Sequence, residues 1–211
     1  MIKKIIFDFD GTLADSHAVF RQVTNDVTDK HSLPRFTDKE YEYISSIPIK
    51  DAIKHLKVKW YDIPKYSLDG CIAFMKRINS VSLFDGITEM LDGLDDLGLS
   101  MSIISSNSSE NIKHFLQANN LTCFENIISA QRLFKKHAFI KKFMKSKNLE
   151  SSEVMYVGDE IRDIQACKKA NIQIIAASWG FDDLKTIISE SPDFIADNPL
   201  DILEIVSSQT V

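Results

Sequence analysis

The 211-residue sequence predicts an α/β protein, a doubly wound parallel Rossmann-like sheet with an inserted all-helical cap. Three observations carry the prediction. From about Gly86 onward, short apolar runs rich in β-branched residues alternate with segments whose apolar residues recur three and four apart, the signature of buried parallel strands joined by helices. An isolated run of the same kind, IIFDF, stands near the N-terminus. The segment between them carries helical patterns and no convincing strand run.

The elements follow in order. IIFDF (5–9) reads as the first strand. Residues 16–82 are punctuated by Pro34, Pro48 and Pro64 into three or four helices, because proline cannot continue a helix. An all-helical insert after the first strand is a lid-like arrangement, with hinges expected near Leu13–Asp15 and Val81–Asp85. LSMSII (99–104), NIIS (126–129), EVMYVG (153–158) and IQIIAAS (172–178) read as further strands. Between them, Ile87, Met90, Leu91, Leu94 and Leu97 line one helix face, and Phe139, Ile140, Phe143 and Met144 another. The expected division is a core domain, 1–15 and 83–211, and a cap domain, 16–82.

Composition narrows the function classes. Hydrophobic residues make up 44% of the chain, enough for a full core. A net charge of −5 with dispersed Lys and Arg gives no reason to expect nucleic acid. No apolar run reaches a membrane span, and MIKKIIFDFDG lacks the pattern of a signal peptide. Cys71, Cys123 and Cys167 have no metal-like spacing and read as buried reduced thiols. The expectation is a cytoplasmic protein without membrane partners. Nothing in the sequence sets its oligomeric state.

The stretch IIFDFDGTLADS (5–16) holds the chemistry. Asp8 and Asp10 are crowded at the end of a strand, where like charges repel. In open α/β sheets ligands bind outside the carboxyl ends of the strands, and strand alternation points Phe7 and Phe9 one way and both acids the other. Gly11 permits a tight turn that brings backbone close to a ligand. A divalent cation between the acids makes their proximity favourable, and Mg²⁺ takes carboxylates, a backbone carbonyl and substrate phosphate. A bare DxD is most often an acidic turn. From residue frequencies near one in twenty, however, chance supplies DxDGT[LV] in roughly one chain in a few thousand.

Later strand ends add further pieces. Ser105, Ser106, Asn107 and Ser108 precede a helix, where a hydroxyl and free amides can cradle phosphate oxygens, although such a run is also an ordinary N-cap. Lys135 and Lys136 stand before another helix, in a position where lysines are usually solvated. VGDEIRD ends a strand with Asp159 and repeats an acid at Asp163.

Taken together, FDFDGTLADS, IISSN, a lysine before a helix and VGDEIRD resemble the haloacid dehalogenase-like hydrolase superfamily, in its phosphoglycolate phosphatase and β-phosphoglucomutase branch with a helical cap. The resemblance covers essentially the whole chain. It implies a Mg²⁺-dependent phosphatase acting on a small phosphorylated metabolite. Asp8 would be the nucleophile, becoming an aspartyl phosphate, and Asp10 would protonate the leaving group and then activate water. Asp8, the carbonyl of Asp10, and Asp159 would hold the metal, with Asp163 in support. Ser106 is similar to the second-motif hydroxyl, with Ser105 the fallback. Lys136 resembles the third-motif lysine, although KKHAF replaces the usual Lys-Pro and leaves Lys135 open. Gly11, Thr12, Ser106, Asn107 and Lys136 would line the substrate phosphate. Glu160 stands where serine or threonine is common, either as a supporting acid or as an exposed one favoured by the helix dipole.

A β-phosphoglucomutase-like phosphotransferase shares this core and is the alternative, with a non-catalytic binding protein behind it. Asp10 argues against dehalogenation, and the order of motifs against a response-regulator receiver. In the cap, Arg35, Lys50, Lys54 and Lys57 could meet a second substrate anion, although the three lysines are also spaced like one solvated helix face. Trp60, Tyr61, Tyr41 and Tyr43 read as cap core.

Overall fold

In the computed structural model the described residues are 1–46, 49–130 and 135–209, except for the side chains at 38, 42, 45, 46, 49, 50 and 52. The elements in chain order are β1 (Lys4–Phe7), β2 (Ala14–Asp15), α1 (His17–Lys30), α2 (Asp38–Ser46), α3 (Ile49–His55), α4 (Ile63–Met75), β3 (Ser82–Leu83), α5 (Ile87–Asp96), β4 (Ser100–Ser105), α6 (Ser109–Ala118), β5 (Phe124–Ser129), α7 (Lys136–Lys147), β6 (Val154–Gly158), α8 (Ile161–Ala170), β7 (Gln173–Ala177), α9 (Leu184–Ser189), β8 (Phe194–Ala196) and α10 (Asp201–Ser208).

Six strands form a parallel sheet in the order β5-β4-β1-β6-β7-β8. The chain builds outward from β1 to β4 and β5, then crosses back to place β6 on the other side of β1. The strand order therefore reverses at β1, the position at which open α/β sheets bind ligands outside the carboxyl ends of their strands. Strand alternation sends residues to two faces. Ile6, Ile104, Tyr156 and Ile174 join Ile140 and Phe143 of α7 and Ile164 and Cys167 of α8 in one buried cluster. On the opposite face the Phe7 ring meets Phe124 at 6.1 Å and Phe9 meets Phe115 of α6 at 5.0 Å, both edge to face. Burial of such side chains contributes roughly 1.5–3 kcal/mol each. Lys4, 4% exposed on β1, pairs with Glu125 at 2.6 Å.

Contacts divide the chain into two units, Met1–Asp15 with Ser82–Val211, and Ser16–Val81. A short antiparallel ladder, Ala14 opposite Leu83 and Asp15 opposite Ser82, sets the two chain crossings side by side. The second unit is all helical among the described residues. Its main packing is α1 against α4, with buried Val19 and Val23 on one, Ala73 and Phe74 on the other, and the Phe20 and Phe74 rings 5.2 Å apart.

Several details differ from the sequence reading. Trp60, Tyr61 and Tyr43 are 80%, 56% and 50% exposed rather than core, because the α1–α4 interface is filled by smaller aliphatic residues and phenylalanine. Arg35 is engaged by Asp29. Lys54 and Lys57 are exposed, and the side chain of Lys50 lies outside the described residues. Of the three free cysteines only Cys167 is buried. Among the described residues no helix is long and apolar enough to cross a membrane.

Candidate active site

Asp8 follows the last residue of β1, and its amide continues the ladder to the Val157 carbonyl at 2.8 Å. The carboxylate is 3% exposed and fixed through both oxygens. Oδ1 accepts from the Phe9 amide at 2.8 Å, and Oδ2 from the Lys136 ammonium at 2.6 Å. The chain then turns sharply at Gly11, which has φ +74°. A Cβ there would lie 2.2 Å from Asp159 Oδ2 and 2.4 Å from the Phe181 ring. Glycine is thus required by conformation and by space alike.

Asp10 is partly exposed and accepts from Asn107 Nδ2 at 2.8 Å. Asn107 comes from the turn between β4 and α6. Its Oδ1 accepts from the Ser108 amide and from Asn111 Nδ2, both at 2.8 Å. A backbone N–H is an unambiguous donor, so the Asn107 oxygen must face it and its NH₂ must face Asp10. Ser105 is buried, and its hydroxyl accepts from the Asn107 amide at 3.3 Å. Ser108 is the N-cap of α6, accepting from the Asn111 amide at 3.1 Å. Ser106 lies partly exposed on the same turn.

Lys136 opens α7, whereas the neighbouring Lys135 is exposed. Gln131 to Phe134, which precede the pair, lie outside the described residues. The Lys136 ammonium donates to Asp8 and to Asp163 and sits 5.6 Å from the centre of the buried Tyr156 ring. Burial works against its charge, but Asp163 and Asp8 outweigh burial and hold the ammonium well above the ordinary lysine range. Tyr156 is itself held by its hydroxyl, which donates to the Ile104 carbonyl at 2.7 Å.

At the end of β6, Asp163 and Glu160 form a reciprocal capping box at the start of α8. Carboxylate oxygens of Asp8, Glu160 and Asp163 lie within 4.8 Å of one another, and they form the acid group that could hold a cation among the described residues. Asp159 is fully buried beside them. Its Oδ1 accepts from the Thr12 hydroxyl at 2.6 Å and its Oδ2 from the Phe181 amide at 2.8 Å. Of the sequence-expected metal acids, the structure therefore gathers Asp8 and Asp163, adds Glu160, and turns Asp159 toward Thr12 and Phe181. Thr12 is 1% exposed, and its side chain faces Asp159 rather than an open phosphate site.

The electrostatics suit a divalent cation. Asp8, Glu160 and Asp163 face two cations, Lys136 and Arg162, with the buried Asp159 beside them, so acids outnumber cations. Burial, then Glu160, Asp163 and Asp8, push the Asp159 carboxyl well above the usual range. Burial likewise raises Asp163 to about 7, against the pull of Lys136 and with the push of Asp8. The gathered ligand atoms are hard oxygens only, the donor type Mg²⁺ takes.

The loop after β7 was not read from the sequence as part of the site. Trp179 Nε1 donates to the Thr12 carbonyl at 3.1 Å, and Asp182 accepts from the Ile161 amide at 2.6 Å at the start of α8. Its signal was nonetheless present. IQIIAAS reads as a strand, and the residues following a parallel strand lie at the ligand-binding edge.

A model of the haloacid dehalogenase-like hydrolases matches residues 5–177. The phosphoglycolate phosphatase of Synechococcus elongatus is 26% identical, over 98% of each chain. A pyrophosphatase of Oceanobacillus iheyensis is 24% identical over 97% of each. A solved haloacid dehalogenase-like hydrolase from Streptococcus pneumoniae superposes with a TM-score of 0.83 at 20% identity, over 97% of this chain and 98% of that one. With the family match spanning the first strand through β7, and the paired acids, lysine and second acid pair meeting at one sheet edge, the chain belongs to the haloacid dehalogenase-like hydrolases.

Proposed function

We propose that this protein is a Mg²⁺-dependent phosphatase that hydrolyses a small phosphate monoester through an aspartyl phosphate on Asp8. The observation that carries the reading is Lys136 joining Asp8 to Asp163 at the switch point of the sheet, beside an Asp10 held by Asn107. The names of the relatives, a phosphoglycolate phosphatase and a pyrophosphatase, support phosphate as the transferred group.

An oxygen of the Asp8 carboxylate attacks phosphorus as the bond to the substrate's leaving oxygen breaks. Asp10 delivers a proton to that oxygen and releases the alcohol. Asp10, now ionised, takes a proton from a water molecule, whose oxygen attacks the phosphorus of the aspartyl phosphate. Phosphate leaves and Asp8 is regenerated. Asn107 keeps Asp10 on the side of the leaving group, and Lys136 holds Asp8 oriented and balances phosphate charge. Asp8, the carbonyl of Asp10 and Asp159, with Asp163 and Glu160 in support, would hold Mg²⁺. When bound, the metal offsets the repulsion between an anionic nucleophile and an anionic ester.

The test is phosphate release from a panel of monoesters that includes phosphoglycolate and sugar phosphates, with pyrophosphate alongside. Release from one or a few monoesters, abolished by EDTA and by Asp8→Asn, is the expected result. No release from any monoester by folded, Mg²⁺-loaded protein would overturn the reading.

A further inference from the structure

The loop that follows β7 makes three attachments within five residues. Trp179 donates its indole N–H to the Thr12 carbonyl, and Phe181 donates its amide to Asp159 Oδ2. Asp182 accepts from the Ile161 amide, so it caps α8 from outside that helix. Thr12 in turn donates its hydroxyl to the other Asp159 oxygen. Both oxygens of Asp159 are thus gripped, one directly by this loop and one through a residue whose carbonyl the loop holds.

Gly180 sits between the two donors. A Cβ there would fall 2.1 Å from Asp159 Cβ and 2.3 Å from Oδ2, distances at which something must shift. Gly11 approaches Asp159 Oδ2 as closely, at 2.2 Å for a built Cβ. Two glycine backbones therefore hem the carboxylate in, while two donors fix its rotation. The Trp179 ring is braced by Phe84, 6.4 Å away at 65°. A structural role alone does not call for so much. Asp159 is fully buried, and an apolar residue would fill such a place at less cost. The two donors and the two close glycine backbones serve to fix the orientation of one carboxylate.

We infer that Trp179–Asp182 is a strap that positions the Asp159 carboxylate for the divalent cation, with Trp179, Gly180 and the Phe181 amide as positioning groups. The inference rests on the reading of Asp159 as a metal ligand. Pre-orienting a ligand spends ordering entropy during folding instead of binding, and loss of a supporting hydrogen bond around a metal ligand typically costs about 10–100-fold in affinity.

The experiment uses the full chain in a Trp60→Phe background. Trp60 is 80% exposed, and its replacement leaves Trp179 as the single indole. Mg²⁺ is titrated by calorimetry and by Trp179 fluorescence, and the metal-free melting temperature is recorded for every variant. Gly180→Ala is expected to weaken Mg²⁺ about tenfold or more. Trp179→Phe, followed by calorimetry, keeps the ring and loses the donor, and should weaken it several-fold. Leu184→Ala, at an exposed position just beyond the strap, should stay within twofold of the parent. With saturating Mg²⁺, kcat of Trp179→Phe should recover to within a few-fold while the Mg²⁺ concentration for half activity stays raised. A merely structural loop would instead lower the melting temperature and leave Mg²⁺ affinity unchanged, which overturns the inference. Asp159→Asn separates the two readings. If it binds Mg²⁺ as the parent does, Asp159 is no ligand and the strap has no such role. If Mg²⁺ binding depends on Asp159 and the strap but no monoester is hydrolysed, the inference stands and the phosphatase reading falls.

Discussion

Asn107 shows how a single amide can be locked by its surroundings. One oxygen facing the Ser108 amide leaves its NH₂ group no direction but Asp10. Asn107→Ala should therefore lower kcat by roughly 10–100-fold, part of the range that a general acid–base group supplies. KM should change little and the circular dichroism spectrum not at all; an unchanged kcat would remove Asn107 from the proton path. Lys136 is the second test at this scale. In Lys136→Met the buried Asp8 and Asp163 carboxylates lose their shared cation. Breaking such a pair from one side costs about 3 kcal/mol or more, so denaturant melts of the metal-free variant should show that loss and added Mg²⁺ should restore part of it. The placement of Asp8 and Asp10 just past β1 and of Lys136 at the start of α7 was legible, because strand ends and helix starts fix where a side chain goes. The roles of Thr12 and Phe181 were not, because their partner Asp159 lies far along the chain and nothing local announces it.

Among the elements, the buried strands were readable from β-branched runs. β8 was not, since three residues with Ile195 partly exposed give no period, nor was the two-residue ladder of β2 and β3. In the helical unit, Trp60, Tyr61 and Tyr43 read as core, whereas the α1–α4 contact is made by valine, alanine and phenylalanine. That contact carries an ionic clasp. Asp69 of α4 meets Lys30 at 2.6 Å and His31 at 2.7 Å. The hydrogen bond from Lys30, then that from His31, holds its carboxyl below the usual range. For an acid lowered in the folded state, the stabilisation is fully present above the unfolded value near 4 and is lost as pH falls through the folded one. Thermal melts of Asp69→Asn and the parent should accordingly differ most at neutral pH and converge in acid. A gap that stays constant down to pH 3 would show that the clasp contributes no charge-dependent stability.

For the molecule as a whole, the gathering of Asp8, Glu160 and Asp163 makes a bound divalent cation an expected stabilising ligand. A cation that binds only the native state adds RT ln(1 + [L]/Kd), about 2.7 kcal/mol at a hundredfold excess over Kd. Saturating Mg²⁺ should raise the melting temperature by several degrees and EDTA should reverse the rise; Asp8→Ala should show less of it. The ladder of β2 with β3 has a consequence of another kind. By setting exit and return side by side, it makes everything from Ser16 to Val81 an excursion from one point of the core. Doubling the length of such an excursion costs only about 0.6 kcal/mol in closure entropy. Whole helices can then be gained, lost or exchanged there over evolutionary time without disturbing the strand ends that carry Asp8, Asp10 and Asp159, so the part free to vary and the part bound to stay the same are separated at a single doorway.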